Sequence, residues 1–199
     1  EIKVLNASKF ILAKGEPLGP VMAAVDRAML SNLGDLVGEA TQALEQYEYG
    51  RALDLVEREF WGFCDDYLEF VKGRRYGDQG SQAAGSANSA LVAALSAYLR
   101  LFAPYLPFAT EEVWSWWKEG SVHRAAWPAD AELAPLIRGV SDADRQQWSY
   151  AREVLGEIRR RRSEAKQPLK VPIVRAVIAD TAARLAHLDA IEADLRAAM

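Results

Sequence analysis

Residues 49–70 read YGRALDLVEREFWGFCDDYLEF. Tyr49, Leu53, Val56, Phe60, Phe63, Tyr67 and Phe70 recur at alternating steps of four and three, the period at which one face of an α-helix returns to a core. A stripe of large rings and aliphatics this regular predicts a buried helical face over its whole length, and with it a mainly α protein.

Working outward, the pattern continues on both sides. A long helix is expected to run to about Tyr47, carrying Val25, Met29, Leu33, Leu36, Ala40 and Ala43 on one side and weakened locally by Gly34 and Gly38. Before it, residues 2–14 read as a helix. Gly15, Pro17, Gly19 and Pro20 then break the chain. On the other side, Gly73 predicts a helix end, and Gly77, Gly80 and Gly85 with Asp78, Ser81 and Ser86 predict a polar, flexible loop. Residues 87–103 form the next helix, stopped by Pro104. Pro107 and Thr110 open another, with Glu111 and Glu112 in its first turn, where carboxylates favour the positive helix end. Residues 120–139, with Pro128 and Pro135, read as irregular. Ser141 and Asp144 then have the spacing of a capping box and start a helix of about 25 residues.

The period changes at KVPIVRAVI, residues 170–178, which reads as a β-strand, followed by a helix from about Asp180. A lone strand has no partner for its backbone N–H and C=O groups. The expected fold is therefore an antiparallel helical bundle over 1–167, followed over 168–199 by the strand and helix of a short, truncated α/β segment. The start at Glu1, already inside a helical pattern, agrees with a piece of a longer chain.

Composition narrows the class. Half the residues are hydrophobic and a quarter are charged, which excludes a disordered chain. Cys64 is the single cysteine, so neither a disulfide framework nor a multi-cysteine metal site can form within the chain. No apolar run approaches the ~20 residues of a membrane span, and the expected setting is the cytoplasm. His123 and His187 lack ligand-spaced partners, and no phosphate-cradling glycine loop follows a strand. Asp65 and Asp66 are adjacent and point about 100° apart on a helix, which favours surface or packing carboxylates over an acid/base pair.

The net charge of −4 would disfavour a polyanion, but the cations are clustered. Arg145, Arg152, Arg159 and Lys166 are spaced by seven and drift only ~20° per step, so they form a ridge that Arg160, Arg161 and Arg162 widen. With Trp148, Ala151, Leu155 and Ile158 on the buried side, this ridge is expected to face outward. It would track a phosphate backbone or serve equally as a solvated face. Lys72, Arg74, Arg75 and Tyr76 cluster where the aromatic helix ends, suiting either a helix C-terminus or stacking on unpaired bases. Asn6, Lys9 and Phe10 share one edge of the first helix, where amide, cation and ring would read, hold and stack a nucleotide; Phe10 would also serve as core.

Four runs, NASKF at 6–10, FWGFCDDYLEFVKGRRY at 60–76, LFAPYLPFATEEVWSWW at 101–117 and SVHRAAWP at 121–128, resemble in order and spacing the anticodon-binding domain of class I aminoacyl-tRNA synthetases of the valyl type. The 101–117 pattern is shared with the isoleucyl type. NASKF and FCDDYLE tilt toward valyl, and the resemblance covers about 1–170. Gly73 stands where the family commonly carries Pro, and Ala28 where it carries Trp. The catalytic histidine and lysine motifs are absent. The resemblance implies an inactive recognition region, without a cofactor, that holds the anticodon arm of a valine-specific tRNA. ATP and Mg would belong to a catalytic domain joined in cis. It implies RNA contacts by Asn6, Lys9 and Phe10, neighbours in Lys72, Arg74, Arg75 and Tyr76, and stem contacts by Arg159 and Arg162. A helical protein-interaction scaffold is the competing reading.

Overall fold

The computed structural model describes residues 1–13, 18–167, 171, 173–189 and 191–199. The helices are α1 (Ile2–Leu12), α2 (Ala24–Glu45), α3 (Tyr49–Gly62), α4 (Leu68–Arg75), α5 (Ser81–Phe102), α6 (Pro107–Ser115), α7 (Asp130–Leu133), α8 (Asp142–Glu164), α9 (Ala182–Asp189) and α10 (Glu192–Ala197). A π-helical turn, Phe63–Tyr67, joins α3 to α4 without a break, and a 3-10 turn, Val122–Arg124, comes after α6.

Helix α5 is the centre. Ala84, Asn88, Leu91, Leu95, Tyr98 and Phe102 are buried, and so are Ala87, Ala90, Ala94, Ala97 and Leu101 on other faces. A helix covered nearly all round lies inside a bundle, and α1, α2, α3, α4 and α6 pack on it. The aromatic stripe forms as its period requires: Phe60 lies 5.1 Å from Tyr98 and 5.2 Å from Phe102, and Tyr67 and Phe70 lie 5.7 and 5.5 Å from Trp148 of α8. Its first member departs from the pattern. Tyr49 is 55% exposed, because the α2–α3 turn, with Tyr47 at φ +62°, lifts it off the bundle end. The Ser141 capping box forms, with Asp144 N–H donating to Ser141 Oγ at 3.2 Å and Ser141 N–H to Asp144 at 2.9 Å.

Several expectations need correction. Helix α4 runs through Gly73 to Arg75, and α5 starts at Ser81, so Gly85 and Ser86 are helical. The 18–20 segment packs closely on this stretch: Gly19 N–H donates to the Gly85 carbonyl at 3.2 Å, and a Cβ on Gly19 would stand 3.3 Å from the Gly85 Cα. Ser86 Oγ accepts from Met22 and Ala23 N–H at 2.9 and 3.1 Å, capping the entry to α2 from a neighbouring helix. Lys14, Gly15 and Pro17 of the expected first helix and break lie outside the described residues; Gly19 and Pro20 are irregular.

No α/β segment is seen among the described residues. Lys170 and Pro172 lie outside the described residues, and 173–181 runs irregularly with no ladder among the described residues. Val174 and Val177 are 97% and 73% exposed, as expected of a β-branched run with no strand beside it to accept its hydrogen bonds. The C-terminal end of the chain is helical. α9 packs on α8 and α10 on α4, so the architecture is helical throughout the described residues.

Candidate nucleic-acid interface

Helix α1 divides cleanly by position. Val4, Ala7, Ser8 and Ile11 are buried, while Asn6 and Lys9 lie on the other side with the half-buried Phe10, all on one edge. Lys9 has no ion-pair partner among the described residues. Beneath this edge ends α4, whose last residues diverge because neighbours on a helix point about 100° apart.

Arg75 turns toward α1. Its guanidinium donates to the Phe10 and Ile11 carbonyls, both at 2.8 Å, and to Asn88 Oδ1 of α5 at 2.6 Å. It thereby satisfies the last carbonyls of α1, which have no partner within the helix. The same guanidinium lies 5.0 Å from the centroid of the Phe10 ring, a cation–π distance. Tyr76, 54% exposed, stands edge-on to Phe10 at 6.4 Å and 87°. One turn back on α4 is Lys72, half exposed and 3.7 Å from Glu69. The structure thus gathers Asn6, Lys9, Phe10, Arg75 and Tyr76 at one end of the bundle, with Phe10 held in place by its neighbours and partly open to solvent.

Arg74 turns the other way and is not at the surface. Its fork meets Asp26 of α2 at 2.7 and 2.8 Å, and its Nε donates to Asp194 of α10 at 2.7 Å. Asp26 also accepts from Tyr67 Oη and Ser86 Oγ, each at 2.7 Å. Burial alone would lower the Arg74 pKa. The hydrogen bonds and charge of Asp26 outweigh it and raise the group, so it stays cationic. Burial, reinforced by the charge of Asp26, pushes the Tyr67 phenol well above its ordinary value, and it stays neutral. Arg74, Asp26, Tyr67 and Asp194 form a charged network inside the bundle that local sequence patterns do not announce: the partners are far apart in the chain and meet only in the fold.

The α8 ridge also turns inward. Arg145 meets Asp35 and Ser31 of α2. Arg152 donates to Asp66 at 3.1 Å, and Arg159 donates to the other Asp66 oxygen at 2.7 Å and to the Asp65 carbonyl of the π turn at 2.6 Å. Arg162 is 8% exposed and donates to the Val171 carbonyl at 2.6 Å and the Met199 carbonyl at 3.2 Å. Arg145, Arg152 and Arg159 do make a stripe, but it lies in the seam between α8 and the helices beside it, while Lys166 falls beyond the end of α8 and is exposed. Arg160 and Arg161, which do face solvent, share Glu157.

A second exposed aromatic set lies elsewhere. Tyr47 and Tyr49 (78% and 55% exposed) stand at the α2–α3 turn, joined to the α5–α6 turn by Tyr105 Oη donating to the Tyr49 carbonyl at 2.9 Å; Phe108 on α6 is 89% exposed. The 22 residues of α5, at 1.5 Å rise, put this set about 30 Å from Tyr76. Glu48, paired with Arg51 at 2.6 Å, and Glu112 flank it in sequence.

Residues 26–178 match the anticodon-binding domain of tRNA ligases. The chain belongs to that family. It is 45% identical over 214 residues to a valine–tRNA ligase of Salinispora tropica, covering 99% of this chain and 25% of the relative. It is 49% identical over 199 residues to one of Leifsonia xyli subsp. xyli, covering 98% and 22%. A valine–tRNA ligase of Cutibacterium acnes is 45% identical over 198 residues, with 98% and 22% covered. The chain therefore spans about a quarter of the length of the curated relatives it matches. Among the described residues no helix is long and apolar enough to cross a membrane.

Proposed function

We propose that this chain is the region of a cytoplasmic valine–tRNA ligase that holds the anticodon arm of its tRNA, while a catalytic domain in the same polypeptide activates valine with ATP and Mg and esterifies the acceptor end. The valine assignment rests on the relatives' names. The division of labour rests on the match of residues 26–178 to the anticodon-binding domain and on the chain spanning about a quarter of its relatives' length. Residues 1–167 carry the RNA contacts, and 168–199 form a second segment.

The observation that carries the reading is the setting of Phe10. Its ring is braced by Arg75 at 5.0 Å and Tyr76 at 6.4 Å and is half open. A preset aromatic platform of this kind stacks an unpaired base at small ordering cost, and Lys9 on the same edge, with Lys72 one turn before Tyr76 on α4, meets phosphates while Asn6 offers an amide to a base edge. Arg75 acts by holding Phe10. Arg74 and Arg162, which are buried, and Arg159, partly exposed but held by Asp66 and the Asp65 carbonyl, are assigned to the fold.

Titration of the chain with valine-accepting tRNA, with and without Phe10→Ala, tests this. A stacking role costs on the order of 1–3 kcal/mol of binding and leaves the salt slope intact. A purely core role instead costs roughly 3–5 kcal/mol of folding stability. A folded Phe10→Ala protein with unchanged affinity would remove Phe10 from the interface.

A further inference from the structure

We propose that Asp194 of α10 is a positioning residue for RNA recognition: its carboxylate clamps the chain on both sides of Tyr76 and so presents the Phe10 platform. The inference rests on Phe10 being part of the RNA interface. Asp194 Oδ2 accepts from Arg74 Nε at 2.7 Å, and its Oδ1 accepts from Gln79 Nε2 at 2.7 Å. Arg75 and Tyr76 lie between those two anchors. The turn they enter has two glycines in the left-handed region, Gly77 at φ +91° and Gly80 at φ +89°. The helix end is closed locally by Gly77 N–H donating to the Arg74 carbonyl at 2.9 Å and Asp78 N–H to the Gly73 carbonyl at 3.1 Å, and Asp194 ties this closed turn to α10 from outside.

Helix α10 is seated closely enough to do so. Ile191 and Leu195 are each 4% exposed. A Cβ on Gly73 would stand 2.9 Å from that of Ala197, closer than two carbons approach, so α10 lies directly against the last turn of α4. Apolar contact alone would hold α10 on the bundle. The carboxylate adds register, which is the best-attested use of a buried ion pair, since its net contribution to stability is small. Two carboxylates, Asp26 and Asp194, share the single Arg74. Burial holds Asp194 above the usual carboxylate range, opposed by Arg74 and Gln79, so this placement is costly and specific. The neighbouring Arg75 then carries the register across to the α1 carbonyls and the Phe10 ring.

The test is a double-mutant cycle on the full chain, with an RNA hairpin bearing the valine anticodon loop as probe and a loop-scrambled hairpin as control. Asp194→Ala is expected to weaken hairpin binding roughly tenfold, the scale of one lost well-placed contact, and to speed amide exchange across 74–80. Asp194→Asn, which keeps an acceptor for Arg74, is expected to bind as the parent does. In a Phe10→Ala background, Asp194→Ala is expected to cost nothing more. Gln79→Ala removes one anchor from an exposed position and serves where Asp194→Ala folds poorly; its loss is likewise expected to vanish beside Phe10→Ala. Folded Asp194→Ala and Gln79→Ala proteins with parental affinity, or losses that add to that of Phe10→Ala, would overturn the positioning role while leaving the Phe10 interface standing. Parental binding by Phe10→Ala itself would instead sink the interface and this inference together.

Discussion

Arg159 donates to the Asp66 carboxylate at 2.7 Å and to the Asp65 backbone carbonyl at 2.6 Å, bolting α8 to the π turn between α3 and α4. The π turn matters because it places Asp66 where both Arg152 and Arg159 reach it, while Asp65 pairs on the other side with Lys3. Arg152 and Arg159 share one carboxylate, and their guanidinium donors are directed at protein groups in the seam, so they are poorly placed to displace counterions from RNA.

Replacing Arg159 by Ala should therefore leave the slope of log Kd against log salt for tRNA nearly unchanged and cost at most about 1 kcal/mol of stability, the upper end for a partly exposed pair. Lys9→Ala should do the reverse. Removing one phosphate contact flattens the slope by roughly 0.7–0.9, with stability unaffected. Salt titrations of the two variants beside urea melts separate the roles.

Asp26 is 0% exposed and collects Arg74, Tyr67 and Ser86. Asp26→Ala strands those donors and leaves Arg74 with Asp194 alone, which should cost about 3–5 kcal/mol. Denaturant unfolding measures it directly, and a loss below about 1 kcal/mol would mean the network relaxes onto water or Asp194.

Burial, with Asp65 adding and Lys3 opposing, pushes the Cys64 thiol from its ordinary 9.0 up to about 12. The sign depends on which state ionises first. The unfolded thiol loses its proton near 9.0 while the folded one keeps it, so this group subtracts stability as pH climbs from 9.0 toward 12 and has no effect well below 9.0. Cys64→Ala should remove that part of the alkaline decline. Parallel stability curves for the two proteins above pH 9.0 would contradict the assignment.

Whatever repeats locally was legible in the chain alone. The 49–70 stripe and the Ser141 cap depend on residues within a turn or two of each other, and both stand as the spacing required except at Tyr49. The start of α5 was hidden because Gly85 and Ser86 look like loop residues; their reasons, Gly19 and the α2 entry, lie more than 60 positions away in sequence. The β-branched run at 170–178 carried a strand's composition, but a strand is defined by its partner, and composition cannot supply one. At the candidate site, α1 spacing grouped Asn6, Lys9 and Phe10 on the edge where the structure places them. Spacing could not say that Arg74 and Arg75 part company, nor that the α8 ridge faces Asp66, because periodicity gives a stripe and not the direction in which it is buried.

If unpaired bases rest on the Phe10–Tyr76 end of the bundle, they lie close enough to crosslink to it. Ultraviolet crosslinking of the chain to a valine tRNA carrying photoreactive bases in the anticodon loop, with peptide mapping of the products, tests this most directly. Adducts are expected on peptides containing Phe10 and Tyr76, and their loss when Phe10 is replaced. Adducts confined to Tyr47, Tyr49 or Phe108, about 30 Å away along α5, would contradict the placement.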